Sequence, residues 1–280
     1  MLAHVCVAYA PDGPARWALG HAVRLARRWD ARLTVVHVAP PVDEVLAERA
    51  GLAGELLGVG DDVRLRRRLL GTVLPLTAGV ATDLRVFTGR PAPTLVELLR
   101  ADRPRLVVAG ARERRGAGRW ATASVADALL AEAPCPVTLV RSPPRESLPV
   151  VLVLAGRASR DDGVRRTAQA LAHELRAGLV DHPAPRHSRD AAGLAAVAAA
   201  CGGHRPLLTV IDGERWPGAR RRLGISRTAT VGRVLESPLV VIPPSLRRAS
   251  SPRTRRLRPS SRPVARHGLL PAAHRSRALR

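Results

Sequence analysis

Lysine and asparagine are absent from this chain of 280 residues, and aromatic side chains are scarce. All 46 basic residues are therefore arginine, while Phe, Tyr and Trp together make up 2% of the sequence. A very GC-rich coding sequence produces this composition, so abundant arginine is not by itself an argument for nucleic-acid binding. The missing lysine also excludes a phosphate-binding P-loop, because that motif requires a Gly-Lys pair.

Cysteine is rare as well, and long apolar runs are missing. The cysteines Cys6, Cys135 and Cys201 have unrelated spacings, which predicts neither a zinc motif nor a disulfide framework. We interpret Cys135, which lies between two prolines, as a small buried residue and not as a nucleophile. No stretch approaches the roughly 18–20 apolar residues of a membrane span, and no signal-peptide pattern opens the sequence. We therefore expect a soluble, cytoplasmic protein.

The sequence also lacks the motifs of catalytic and metal sites. It contains neither a GxSxG nucleophile turn nor an HExxH zinc helix. The nine histidines are scattered, and His182 and His187 do not have the spacing of metal ligands. We expect no catalytic residues, no metal site and no enzyme activity.

What is present in the first half is an alternation of short apolar runs and amphipathic segments. The runs predict strands over Val5–Tyr9, Leu33–Val38, Leu84–Phe87, Leu106–Ala109 and Val137–Val140. Helical patterns lie between them at Ala18 to Ala26, 43–70, Pro91–Leu99 and 122–132. The pattern over 43–70 predicts one or two helices, broken near Gly58 and Gly60. Nearly continuous apolar strands are typical of a parallel sheet that is buried on both faces. The alternation predicts βαβ units and a parallel sheet, that is, an α/β fold.

The second half repeats part of this pattern. Val150–Leu154, Leu207–Ile211 and Leu239–Ile242 mirror the first, fourth and fifth strands, and Asp162–Leu179 mirrors the first helix. The segments APCPV (Ala133–Val137) and ESPLV (Glu236–Val240) resemble one motif used twice, a helix end, a proline and a strand. Between the first helix and the fourth strand of this second copy, the sequence has only Gly178–Val180 and a helix-like stretch at 190–201. This predicts that the second half lacks the equivalents of the second helix and the third strand. We expect two domains, over residues 1–143 and 147–243.

Residues 244–280 differ from both halves. They contain 11 arginines and no acidic residue, with Pro and Ser but no hydrophobic periodicity. Such a segment cannot bury enough apolar surface to offset its chain entropy, so we predict a disordered tail. Three interpretations stay open: an arm for nucleic acid or anionic surfaces, a solubilising extension, or an unselected run-on of the reading frame. The lack of aromatic residues is unfavourable for base stacking.

Three segments resemble the universal stress protein family. They are ALGHAVRLARRWDARLTVVHV (Ala18–Val38), GRPAPTLVELLRADRPRLVVAGARERRGAG (Gly89–Gly118) and ASVADALLAEAPCPVTLVR (Ala123–Arg141). They are similar to the family's first helix and second strand, its third helix, fourth strand and phosphate loop, and its fourth helix and fifth strand. The whole chain resembles a tandem form with a shortened, degenerate second domain. The resemblance implies a Rossmann-like fold, an open, parallel, five-stranded sheet with helices on both faces. Many members bind ATP at the carboxyl ends of the first and fourth strands.

The resemblance also implies where a nucleotide would bind. The corresponding positions are Tyr9, Ala10, Val38, Gly110, Arg112, Gly116, Ser124 and Val125. In the family's loop, glycines let backbone N–H groups approach phosphate oxygens. Here Glu113 stands at the second glycine and Ala123 at the third, and Ala10 replaces an acidic residue, although Asp12 follows two residues later. In the second half, Gly213 and Gly218 are poorly spaced for such a loop.

Two interpretations of this loop follow. The one that we favour is structural: Gly110 ends a strand, and Ser124 caps or lines the first turn of a helix. The other is an ATP site in which Arg112 and neighbouring arginines replace the missing glycine contacts. The leading hypothesis is a non-catalytic regulatory or ligand-sensing protein of the stress response, with no certain cofactor. The alternatives are an ATP-binding member that uses its first domain, and a nucleic-acid-associated protein that uses the basic tail for weak polyanion binding.

The repeated motif predicts how the two halves meet. We expect strands 137–140 and 239–242 to lie side by side and antiparallel, which removes two exposed sheet edges. The halves would then form a pseudo-dimer within one chain, or the same edges would form a homodimer.

The tail gives a first testable prediction. Deleting residues 244–280 should leave the midpoint of thermal unfolding nearly unchanged, because the tail is predicted to contribute no packing. Removing its 11 positive charges should weaken retention on heparin. Calorimetry and heparin chromatography of the two proteins measure both effects, and a large fall in the midpoint would contradict the prediction.

Overall fold

Strands and helices alternate along the chain in the computed structural model, which describes residues 3–11, 13–39, 59–111, 125–155, 162–183, 191–202, 204–212, 236–243 and 246. The first half contains β1 (His4–Ala8), α1 (Gly13–Trp29), β2 (Arg32–Ala39), α2 (Val59–Leu76), β3 (Thr82–Thr88), α3 (Pro91–Asp102), β4 (Leu106–Gly110), α4 (Val125–Glu132) and β5 (Val137–Val140). The second contains β6 (Leu148–Ala155), α5 (Asp162–Glu174), β7 (Gly178–Pro183), α6 (Ala191–Ala200), β8 (Pro206–Asp212) and β9 (Leu239–Ile242).

All of these strands join one sheet in the order β3-β2-β1-β4-β5-β9-β8-β6-β7. Neighbouring strands are parallel except at the junction of the two halves, where β5 and β9 are antiparallel. Thr138 lies opposite Val240 there, and Leu139 lies opposite Leu239. The prediction that strands 137–140 and 239–242 are antiparallel neighbours is therefore confirmed. We call this junction the seam.

The second half follows the strand order of the first without its outer strand. From the seam outward, β9, β8, β6 and β7 take the places of β5, β4, β1 and β2, and among the described residues no strand takes the place of β3. The helix ends match as well. Asp30 after α1 and Arg176 after α5 have positive φ, and in both cases the next N–H bonds to a carbonyl five residues back, at 2.8 Å. This is the Schellman ending of a helix.

Two hydrophobic layers cover the sheet, one on each face. Val5 and Val7 face the layer that contains α1, α2 and α5, whereas Cys6 and Ala8 face the layer that contains α3, α4 and α6. Each layer contains buried residues from both halves, so the core continues across the seam. No helix in the described ranges is long and apolar enough to cross a membrane.

Arginine side chains also bridge the halves. The Arg28 Nε donates to the carbonyl oxygen of Leu175, at 2.6 Å, and so satisfies a free carbonyl at the end of α5. Arg105 donates to both carboxylate oxygens of Glu174. The Arg105–Glu174 ion pair is a third to a half exposed, so its contribution to stability is at most modest, and it serves mainly to align the two halves.

The structure corrects three boundaries. The segment 43–70, predicted as one or two helices broken near Gly58 and Gly60, contains a helix that is described from Val59 and continues to Leu76. It extends past residue 70 because Val73 and Leu76 pack in the core. The helix predicted over Asp162–Leu179 ends at Glu174, because Arg176 adopts the left-handed conformation. Leu246 packs against the core, so the prediction that residues 244–280 are disordered is wrong at that residue. The rest of this segment lies outside the described residues.

Buried threonines give a prediction about the sheet. Thr138 in β5 is fully buried, and its hydroxyl finds no hydrogen-bond partner in the described part of the chain. Thr209 in β8 is equally buried, but its hydroxyl lies 2.6 Å from the Ser237 hydroxyl. Thr138→Val should therefore raise the free energy of unfolding by about 1 kcal/mol, and Thr209→Val should lower it by a similar amount.

Chemical denaturation of the two variants and the parent protein tests this pair. The substitution is the same at both sites and changes the shape of the side chain little, so the hydroxyl partner is the variable. If the free energy of unfolding changed in the same direction in both variants, the expectation would be contradicted.

Candidate functional site

The carboxyl ends of β1, β2 and β4 form one rim of the sheet. These strands are neighbours, with Ala8 paired to Val36 on one side and to Ala109 on the other. The chain leaves the rim in opposite directions from β1 and β4, which is the arrangement that opens a ligand crevice in parallel α/β sheets. The predicted positions Tyr9, Ala10, Val38 and Gly110 all lie at this rim, so the structure brings them together.

Gly110 lies directly against the start of α1. A side-chain carbon placed on Gly110 would be 2.5 Å from the carbonyl carbon of Pro14 and 2.7 Å from the backbone nitrogen of Ala15. Carbon atoms do not approach backbone that closely, so only glycine allows β4 and α1 to pack in this way. Packing alone is therefore enough to require glycine here.

Tyr9 is held in place by a histidine on the neighbouring strand. The backbone N–H of Tyr9 donates to the Val36 carbonyl at 2.8 Å, and the Nδ1 of His37 donates to the Tyr9 carbonyl at 3.0 Å. Because a carbonyl oxygen only accepts, the proton of this bond is on Nδ1. His37 is 9% exposed and was not among the predicted site residues. Its signal in the sequence is a polar residue inside the apolar run of β2.

The positive end of a helix also faces this rim. The first turn of α1 lies at the carboxyl end of β1, and the helix dipole adds a partial positive charge there. That first turn contains no acidic residue. Together with the close approach of Gly110, this gives the rim a group that favours a negatively charged ligand.

Other predicted residues are not brought to the rim by the described structure. Arg112, Gly116 and Ser124 lie outside the described residues, as do Glu113 and Ala123. Val125 is the first residue of α4 and packs against the hydrophobic layer that contains α3, α4 and α6. Of this candidate site, the structure therefore describes the carboxyl ends of β1, β2 and β4 and the start of α1, but not the loop.

The thiols are not reactive groups. Burial raises the pKa of Cys6 and of Cys135 to about 12, so both remain protonated at neutral pH. This supports the interpretation of Cys135 as a buried structural residue. Among the described residues no cluster of three or more His, Cys, Asp or Glu could hold a metal ion.

A pocket at the seam is a separate feature. It lies between α1, the segment before β6 and the start of β8, and its volume is about 20 Å³. This space is far below the several hundred Å³ of a typical ligand pocket, so it is not the nucleotide site. The buried His21 lines it, and burial lowers the pKa of this imidazole to about 4.

Comparison with known proteins identifies the fold. Residues 1–141, half of the chain, match the model of the universal stress protein family. The chain belongs to this family. A curated relative, the universal stress protein in the QAH/OAS sulfhydrylase 3′ region of Thermus aquaticus, is 30% identical over 147 residues, which cover 50% of this chain and all of the relative.

Solved structures of universal stress proteins are similar to this chain. One from Archaeoglobus fulgidus is 12% identical, covers 86% of this chain and 98% of its own, and has a TM-score of 0.55. Another, from Lactobacillus plantarum, is 23% identical, covers 50% of this chain and 98% of its own, and has a TM-score of 0.36. At 12% identity, the likeness to the Archaeoglobus fulgidus protein supports the fold and says nothing about the ligand.

The second half of this universal stress protein has an acidic residue at the position of Gly110. Gly110 is paired with Val140 at the end of β4, and Asp212 is paired with Ile242 at the end of β8. Asp212 is 4% exposed. A carboxylate at this position would repel a phosphate group, so the second rim differs chemically from the first. The predicted second-half positions Gly213 and Gly218 lie outside the described residues.

Two glycine substitutions test the packing of Gly110. Gly110→Ala should lower the free energy of unfolding by about 1–3 kcal/mol, because the methyl group must displace the backbone of Pro14 and Ala15. Gly71→Ala is the matched control. It adds a methyl group to open space in the middle of α2 and should raise the free energy of unfolding by about 0.5–1 kcal/mol. Equal stability of Gly110→Ala and the parent in chemical denaturation would show that α1 is not held against β4 as described.

Proposed function

We propose that this universal stress protein is a non-catalytic, ligand-sensing regulator of the stress response whose nucleotide site is degenerate. The observation that carries the proposal is the packing of Gly110. It is the one glycine of the family's loop that remains, and contact with Pro14 and Ala15 accounts for it without any phosphate. The other two glycine positions, Glu113 and Ala123, have side chains.

The chemistry of Glu113 supports weak binding of a polyphosphate. Its side chain prevents close backbone approach, and its charge has the same sign as the ligand. At an effective dielectric constant near 20, two like unit charges about 4 Å apart repel by roughly 4 kcal/mol. Nearby arginines offset part of this repulsion. Ala123 is a smaller change, because alanine can begin a helix but does not readily adopt a positive φ.

The alternative is an ATP-binding member that uses its first domain. The rim supports this reading through the positive end of α1 and through the placement of Tyr9, Val38 and Gly110 at the carboxyl ends of three neighbouring strands. Arginines at 112, 114 and 115 would then pair with phosphates in place of the missing glycine contacts. The affinity of the protein for ATP distinguishes the two proposals.

The pairing of β5 with β9 supports a further part of the proposal, that the two halves form a pseudo-dimer within one chain. A homodimer formed through β5 would need the outer edge of that strand to be free, but this edge is already paired with β9. The residue ranges of the two domains and a cytoplasmic location stay predictions, as does polyanion binding by the tail.

Calorimetric titration of the full chain with ATP tests the nucleotide site. The parent protein should bind with a dissociation constant in the high micromolar range or weaker, as an order of magnitude. Glu113→Gly combined with Ala123→Gly should tighten binding at least tenfold, because both loop positions then permit backbone contacts to phosphate. No protein should release phosphate from ATP above the buffer rate.

Glu113→Gln provides the matched control, since it removes the charge and keeps the side chain. An intermediate gain for this variant would separate repulsion from steric blocking. Tight ATP binding by the parent, lost on Ser124→Ala, would overturn the degenerate site and establish the ATP-binding alternative.

A further inference from the structure

The segment that joins the two halves packs on α1. Residues 141–147 connect β5 to β6, and we call them the linker. A side-chain carbon placed on Gly20 would be 2.7 Å from the Pro144 ring, so the middle of α1 lies directly against the linker. One turn later, the Arg24 guanidinium donates to the carbonyl oxygen of Arg145. The linker is therefore held by α1 as well as by the strands at its two ends.

His21 lies between these two contacts. The residue is 9% exposed, and its Nε2 is buried without a hydrogen-bond partner in the described part of the chain. The ring lines the pocket at the seam, whose volume of about 20 Å³ has room for about one water molecule. A single water can satisfy a neutral imidazole, whereas a buried imidazolium needs a charged partner. The position is therefore suited to the neutral ring.

Two influences oppose a positive charge on His21. Burial is the larger and repulsion by Arg24 is the second, and together they lower the pKa of this imidazole from 6.5 to about 4. Hydrogen bonding to the linker backbone at Ser142 and Pro143 raises the pKa but does not outweigh them. The ring is therefore neutral at neutral pH while the linker is docked.

The other charged groups that line the pocket do not neutralise an imidazolium. They are Arg145, Glu146, Arg205 and Glu236, from the linker and from the segments before β8 and β9. The Glu236 carboxylate already pairs with Arg145 and Arg205. Glu146 is exposed to solvent. Among the described lining residues, no carboxylate is both buried and free to pair with a charged His21.

We propose that His21 makes the docking of the linker on α1 sensitive to acid: protonation of the imidazole releases the linker and opens the pocket to water. The charged ring then gains the hydration that the closed pocket denies it. The pairing of β5 with β9 lies in the sheet and is not part of this change, so the two halves stay joined. The proposal concerns a regulatory contact within the fold and does not depend on the nucleotide site.

The direction of the pH effect follows from the two states of the ring. With the linker docked, the pKa of His21 is about 4, and with the linker released it returns toward 6.5. Docking is therefore fully favoured above pH 6.5 and weakens as the pH falls from 6.5 to 4. Acidification from about pH 7.5 to about pH 5.5 should raise the fraction of released linker about tenfold. Carboxylates ordinarily titrate near pH 4, below this range.

Hydrogen exchange of the full chain, measured by mass spectrometry at these two pH values, tests the proposal. The reporter is the N–H of Leu148, which closes the linker by donating to the Arg205 carbonyl at 2.9 Å. After correction for the intrinsic pH dependence of exchange, opening of the peptide that contains Leu148 should increase about tenfold in the parent. His21→Gln has no titrating ring and should reduce this increase to less than about twofold.

The matched control is His4→Gln, which removes another buried histidine whose pKa burial lowers. His4 begins β1, whereas the linker follows the carboxyl end of β5, so the two lie at opposite ends of parallel strands. This variant should keep the increase of about tenfold in linker exchange. His21→Leu is a second test, because it fills the space without a titrating group and should be as insensitive to acid as His21→Gln.

Three results would overturn the proposal. The first is linker exchange in the parent that does not respond to acid. The second is a response that persists unchanged in His21→Gln and His21→Leu. The third is an equal response in peptides from β1 and β4, because acid would then open the whole fold and not the linker.

Discussion

The antiparallel contact between β5 and β9 is the interaction on which the rest of this structure depends. Each half on its own would end in a strand with a row of unpaired N–H and C=O groups, and such an edge recruits other chains. Joining the two edges satisfies those groups and also aligns both hydrophobic layers, so that each core runs from one half into the other. The arginine contacts across the seam depend on this alignment, because exposed ion pairs are too weak to create it.

Much of the sheet could be predicted because buried parallel strands have a strong signal in sequence. Runs such as Leu106–Ala109 and Leu207–Ile211 are nearly uninterrupted in apolar character, and the repeated Pro-strand motif located the seam. Helix ends were harder. Asp30 has a short polar side chain that tolerates a positive φ, whereas Arg176 makes the same turn without any such preference. The turn at Arg176 is closed by the bond from the Ala177 N–H to the Ala172 carbonyl, which the residue type does not indicate.

The candidate site was predictable only in part, for a related reason. A motif can place Gly110 at the end of a strand, but the need for glycine there comes from the backbone of Pro14, almost a hundred residues earlier in the chain. His37 belongs to no motif and acts through one hydrogen bond to a carbonyl. Asp212 becomes comparable with Gly110 only through the strand register. The roles of all three residues depend on contacts between segments that are far apart in the sequence.

The direction of the strands at the seam has a consequence for communication within the molecule. Because β9 runs opposite to β5, the rim that contains Gly110 and the rim that contains Asp212 lie at opposite ends of the strands. A strand of five residues spans about 17 Å, so ligands bound at the two rims could not touch. Any influence of one on the other would have to be transmitted by a shift of the sheet itself. The sheet thus separates two rims of unlike chemistry by the length of its strands.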